Sequence, residues 1–160
     1  MVHVIKQHWH SRYLSLAKEV ATWSKDPSSK IGAIAVGNKG QVLAQGYNGF
    51  PRGISHAADR LNDREVKYKY VVHAEMNLIY NATYTGVSLD DSTVYVWGLP
   101  CCSECAKGLI QVGVKQVIMP EMTENTPQAW IDSFKFTAEL FKEAKVDWMF
   151  IGSNNDPRTH

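Results

Sequence analysis

The chain is short of cysteine, of unbalanced charge and of long apolar runs, and each shortage removes a class of function. Only three cysteines occur in 160 residues, all between positions 101 and 105. An odd, clustered set cannot staple a small extracellular fold, so the thiols are expected to stay free for metal or chemistry in a reducing compartment. No stretch approaches the roughly 18 apolar residues of a spanning helix, and the opening MVHVIKQHWH has no apolar h-region. The expected location is the cytoplasm, without membrane contact. Seventeen basic against sixteen acidic side chains give a formal charge of +1, which argues against a dedicated nucleic-acid binder.

What the chain does have is enough apolar content, 44%, for one buried core. A single domain over 1–160 is expected, with the polar end SNNDPRTH (153–160) as a tail. Apolar residues at helical spacing from Trp9 predict a first helix to Lys25, stopped by Asp26-Pro27. IGAIAV (31–36) and QVLAQGY (41–47), joined by Gly37-Asn38-Lys39-Gly40, read as an antiparallel hairpin. Strands at 93–98, 114–119 and 146–151 then alternate with helices near 73–83, 101–112 and 126–145. Such alternation implies parallel pairing, so the expectation is a three-layer α/β/α fold on a five-stranded mixed sheet. The segment YNGFPRGISHAADRLNDREVKYKY (47–70) is left as an overlong loop, a length that usually signals function.

Two places carry chemistry. In YVVHAEMNLIY, His73 and Glu75 stand two apart; in mid-helix they would diverge by about 200°, but at a helix start both can address one point. Pro100 marks a second helix start, followed by Cys101, Cys102 and Cys105. One imidazole and two sulfurs at two positive helix ends suit zinc, and three protein ligands leave a fourth position for water. On geometry both Cys102/Cys105 and Cys101/Cys105 are acceptable pairs, since i,i+3 and i,i+4 share a face. Glu75 is then available for proton transfer instead of coordination. HxE followed about thirty residues later by a prolyl-led cysteine pair matches the zinc deaminase signature.

Four blocks, DPSSKIGAIAV, GYNGFPRG, YKYVVHAEMNLIYNA and PCCSECAKGLIQVGVKQVI, make the chain resemble the deoxycytidylate deaminase family of the cytidine deaminase superfamily. The resemblance implies the cytidine deaminase-like fold and zinc-dependent deamination of dCMP to dUMP and ammonia, feeding dTMP synthesis. It also breaks the cysteine tie: Cys105-Ala106 matches the end of the motif, which makes His73, Cys102 and Cys105 the zinc ligands, with Cys101 where a proline usually stands. Glu75 would be the proton shuttle. Ala74 would hold the pyrimidine carbonyl, Leu99 would accept from the exocyclic amine, and Asn48 would reach the sugar hydroxyl. Ser28 and Lys30 are substrate-phosphate candidates. Family members are usually hexamers activated by dCTP and inhibited by dTTP, so the resemblance implies a homohexamer. It further implies an effector site around Tyr47, Asn48, Gly49 and Arg52, with Mg2+ accompanying a bound regulatory triphosphate. Lys67 and Lys69 are further phosphate candidates.

A tRNA adenosine deaminase is the rival enzyme, against which the neutral charge and the GYNGFPRG block speak. A non-catalytic zinc or nucleotide-binding module is the rival from another class, against which Glu75 speaks. His3, His8, His10 and His160 are expected to be solvated or terminal and not ligands. Trp130, Phe134, Phe136, Leu140 and Phe141 are expected to make core or subunit contacts.

Overall fold

A computed structural model describes residues 6–152; His3, His160 and the 153–160 tail lie outside them. Five strands, β1 (Gly32–Val36), β2 (Val42–Tyr47), β3 (Thr93–Trp97), β4 (Gln116–Pro120) and β5 (Asp147–Ile151), form one sheet in the order β2-β1-β3-β4-β5. β1 pairs antiparallel with both β2 and β3, while β3, β4 and β5 run parallel. The sheet is therefore mixed, as expected. Parallel β3, β4 and β5 need crossovers, which the helices α5 (Ser103–Gln111) and α6 (Gln128–Ala144) supply.

Alternation along the strands divides the core in two. Ala33, Ala35, Val94, Val96, Val117 and Met119 face α5, α6 and the helix α4 (Ala74–Thr85). Ile34, Val36, Tyr95 and Ile118 face α1 (Gln7–Ala21) alone. The result is three layers, one helix against three.

Two glycines let helices approach the sheet. A Cβ at Gly32 would lie 2.1 Å from Ala17 O of α1, and one at Gly46 would lie 2.3 Å from Leu78 N and 2.4 Å from Ala74 O of α4. Backbone atoms cannot yield as a flexible side chain does. Gly46→Ala is expected to destabilise by about 3 kcal/mol and lower Tm by roughly 6–12 °C. Thermal unfolding checks this, and an unchanged Tm would show that α4 does not sit on β2 so closely.

Three expectations need correction. First, α1 ends at Ala21, before Asp26-Pro27. Its last turns tighten, with Trp23 N donating to Val20 O and Ser24 N to Ala21 O, and the Ser24 hydroxyl is drawn inward to Asn48 O at 2.8 Å. Second, the 47–70 segment is not a plain loop: it holds α2 (Ala58–Asn62) and α3 (Arg64–Tyr70). Asp63 caps α3 by accepting from Glu65 N and Val66 N. Third, His10 is buried, its Nδ1 lying 2.8 Å from Tyr95 Oη, and burial lowers its pKa.

Candidate active site

His73 is the N-cap of α4 and Cys102 the N-cap of α5. Both helices start where an extended residue hands over to the first turn, so their free N–H groups and positive dipole ends face one point. His73 Nδ1 lies 3.4 Å from Cys102 Sγ and 3.4 Å from Cys105 Sγ, and all three donor atoms fall within 4.8 Å of one another. Tetrahedral zinc, with Zn–N near 2.0 Å and Zn–S near 2.3 Å, requires an N···S separation of about 3.6 Å. The donor set and its spacing fit zinc.

Without metal, the three donors share protons among themselves. Cys102 is held well below an ordinary thiol by the Cys105 thiol, His73 and the Cys105 N–H, while Cys105 is pushed up by its hydrogen bond to Cys102 and by burial. His73 is raised by the hydrogen bond to Cys102. Cys101 is not one of the three clustered donors. It is fully buried, its Sγ lies 3.5 Å from Cys102 O, and burial, together with the Glu75 carboxylate beside it, raises its thiol far above the usual range.

Glu75, in the first turn of α4, is 2% exposed, and its Oε1 has no hydrogen-bond partner. Burial, then the Cys102 charge, pushes its carboxyl from 4.5 up to about 7. In the metal-free protein the folded state thus keeps a proton that the unfolded state has released. The Glu75 contribution to stability falls as pH rises from about 4.5 to about 7, by roughly 3 kcal/mol at about 1.4 kcal/mol per pKa unit, against the opposite trend from the lowered Cys102 thiol. Glu75→Gln should remove that contribution: thermal unfolding of chelator-treated protein should show variant and wild type matching near pH 4.5 and the variant ahead above pH 7.

A cleft of about 440 Å3 opens beside this centre, lined among others by Ser28, Ser29, Asn48, His73, Leu99, Pro127 and Trp130. Of the sequence-derived substrate residues, Ser28, Asn48 and Leu99 reach it. Asn48 is buried and largely engaged, its Oδ1 accepting from Ile31 N at 2.9 Å and its Nδ2 donating to Ser29 O at 2.8 Å. Ala74 is buried at the first position of α4, where its N–H has no partner within the helix. Lys30 is absent from the cleft wall and donates its Nζ to Ser24 O. Lys67 is buried and paired with Asp26 at 3.1 Å.

The four effector candidates separate. Tyr47 and Arg52 line a second hollow of about 350 Å3 with Trp23, Asn81 and Tyr84. Arg52 donates to Asn81 Oδ1 at 2.6 Å there. Gly49 exchanges backbone hydrogen bonds with Val72 just before His73, and Asn48 faces the cleft. Trp130, expected in core or subunit contacts, packs against the core, and its ring, 5.8 Å from that of His73, also walls the cleft. Only its place three residues after Pro127, in the first turn of α6, hinted at this. Phe134 and Phe141 are core, as expected.

This fold and paired-helix centre define a zinc-deaminase architecture. Residues 7–121 match the cytidine and deoxycytidylate deaminase zinc-binding region, and the chain belongs to that family. It is 34% identical over 139 residues to an uncharacterized deaminase of Aliivibrio fischeri, covering 87% of this chain and 90% of that one. It is 39% identical over 115 residues to the deoxycytidylate deaminase of Homo sapiens, covering 69% of this chain and 63% of that one. The match spans about three fifths of the length of the animal relatives. A crystal structure of dCMP deaminase from the cyanophage S-TIM5 in complex with dCMP and dUMP superposes with a TM-score of 0.72 at 25% identity, covering 92% of this chain and all of that one. The family resemblance and the fold class drawn from sequence are both borne out. No helix among the described residues is long and apolar enough to cross a membrane.

Proposed function

We propose that the protein hydrolyses dCMP to dUMP and ammonia in the cytoplasm, with zinc held by His73, Cys102 and Cys105. The observation that carries the reading is the convergence of these three donors beside a buried carboxylate oxygen that has no protein partner. Zinc, when bound, supplies a Lewis acid that makes water nucleophilic near neutral pH. Glu75, whose carboxyl burial pushes up to about 7 before metal binds, can accept and return a proton. It takes one from the attacking water and gives it to N3 of the cytosine as C4 is attacked, then takes the second from the hydroxyl now on C4 and delivers it to the amine as the C4–N bond breaks. The balance is water plus dCMP to dUMP plus ammonia.

The wall residues orient the base and sugar. The Ala74 N–H is free for the pyrimidine carbonyl, the Leu99 carbonyl for the exocyclic amine, and one Asn48 amide hydrogen for the sugar hydroxyl. Ser28 serves the phosphate end. Lys30 can join it only by leaving Ser24 O. Deamination of dCMP would feed dTMP synthesis, which makes activation by dCTP, bound with Mg2+, and inhibition by dTTP the fitting controls. A hollow separate from the cleft, lined by Tyr47 and Arg52, supports an effector site, and exposed Trp23, Tyr80 and Tyr84 nearby support assembly into a homohexamer.

Ammonia release from dCMP and from a tRNA anticodon stem-loop tests the reading. Release from dCMP alone is expected, and release from the RNA alone would overturn it.

A further inference from the structure

We propose that Arg64, steadied by Tyr68, binds the phosphate of the substrate and so sets a preference for the nucleoside monophosphate over the nucleoside. The proposal rests on reading the cleft as a dCMP site. It begins with the cations that are already committed. Asp26 Oδ1 accepts from Ser28 N at 2.8 Å, Ser29 N at 3.1 Å and Lys67 Nζ at 3.1 Å. That pair is buried, so the Lys67 charge is consumed inside the wall. Lys30 is turned to Ser24 O, and Arg52 lines the other hollow.

Arg64 is different. It lines the cleft and is exposed, and among the described residues no carboxylate lies within ion-pair distance of it. Since Asp26 and Lys67 cancel, Arg64 is the uncompensated fixed charge of the cleft lining. Its Nε donates to Tyr68 Oη at 2.9 Å, and its guanidinium carbon lies 5.4 Å from the Tyr68 ring centroid. One N–H of five is thereby spent on holding the plane, and four remain for oxygen acceptors. A planar, permanently charged fork matches a phosphate in bidentate fashion.

Its position fits the other end of the ligand. Arg64 opens α3, seven residues long and so about 10 Å, after whose end the chain passes through Val71 and Val72 to His73. Arg64 thus opens α3 and His73 stands two residues past its C-cap, and both line one cleft. A nucleoside monophosphate places its base and its phosphate at a separation of that order.

The test compares wild type, Arg64→Gln, Arg64→Lys and Tyr68→Phe, all zinc-loaded. Arg64→Gln should raise KM for dCMP about 10- to 100-fold, the worth of charge-assisted hydrogen bonds, and leave kcat within about twofold. Arg64→Lys should restore part of the loss, and Tyr68→Phe should raise KM about threefold. Calorimetric titration with dUMP reads the same site without turnover, and the variant's affinity should drop by the same factor while deoxyuridine binding stays unchanged. An Arg64→Gln variant that binds dUMP as wild type does, or loses dUMP and deoxyuridine equally, would overturn the assignment, as would a wild type that binds no dUMP. A wild type that binds dUMP through Arg64 but turns over no dCMP would sink the reaction and leave the phosphate site standing.

Discussion

Glu75→Ala is expected to retain one zinc per chain and to deaminate dCMP between about a hundredfold and ten-thousandfold more slowly than wild type. The carboxylate is not among the three clustered donors, so its removal leaves the N,S,S set intact. What it removes is the carboxylate proposed to carry the proton. Burial without a partner at Oε1 is costly for a carboxylate, and a merely structural zinc centre has no use for that cost. Metal content by elemental analysis and steady-state rates decide the matter together: full zinc with a normal rate would refute the role of Glu75, and lost zinc would make it a ligand.

The second large effect separates two adjacent cysteines. Cys102→Ala should lose both zinc and turnover, because Cys102 supplies a thiolate 3.4 Å from His73 Nδ1 and caps α5 by accepting from Cys105 N at 3.4 Å. Removing it takes a ligand from the centre and a partner from the first turn. Cys101→Pro should keep both. The Cys101 backbone contributes only a weak 3.5 Å contact from its N–H to Met119 Sδ, and its carbonyl, which accepts from Thr137 Oγ1 at 2.9 Å, survives the exchange. Zinc titration of the two variants reads the outcome, and loss in Cys101→Pro with retention in Cys102→Ala would reverse the assignment.

Those cysteines also mark where sequence reasoning stops. Spacing puts Cys101 and Cys102 equally well on a face with Cys105 if all three lie in one helix. They do not: α5 begins at Ser103, Cys102 is its cap, and Cys101 belongs to the extended approach. The starts of α5, soon after Pro100, and of α4, soon after Val72, were legible because proline and the change from β-prone to helical residues are local signals. The mixed sheet was legible for the same reason, since each strand carries its own apolar pattern.

What escaped was set by distant partners or by elements too short to show a period. Lys67 is paired with Asp26 across 41 positions and His10 with Tyr95 across 85, separations at which no sequence pattern reports contact. The helices α2 and α3, five and seven residues long, offer one or two turns each. Their cap, Asp63, is a signal that could have found the second of them. The place of Trp130 on the cleft wall escaped because its neighbour there is an imidazole on a different helix, far away in the chain.

The most direct test of the account is dUMP formation by the purified chain as zinc is removed and returned. The account predicts one zinc per chain, turnover of dCMP that is lost with chelator, and recovery on adding one equivalent of zinc. Zinc-loaded protein that binds the metal at one per chain yet leaves dCMP unchanged would contradict it.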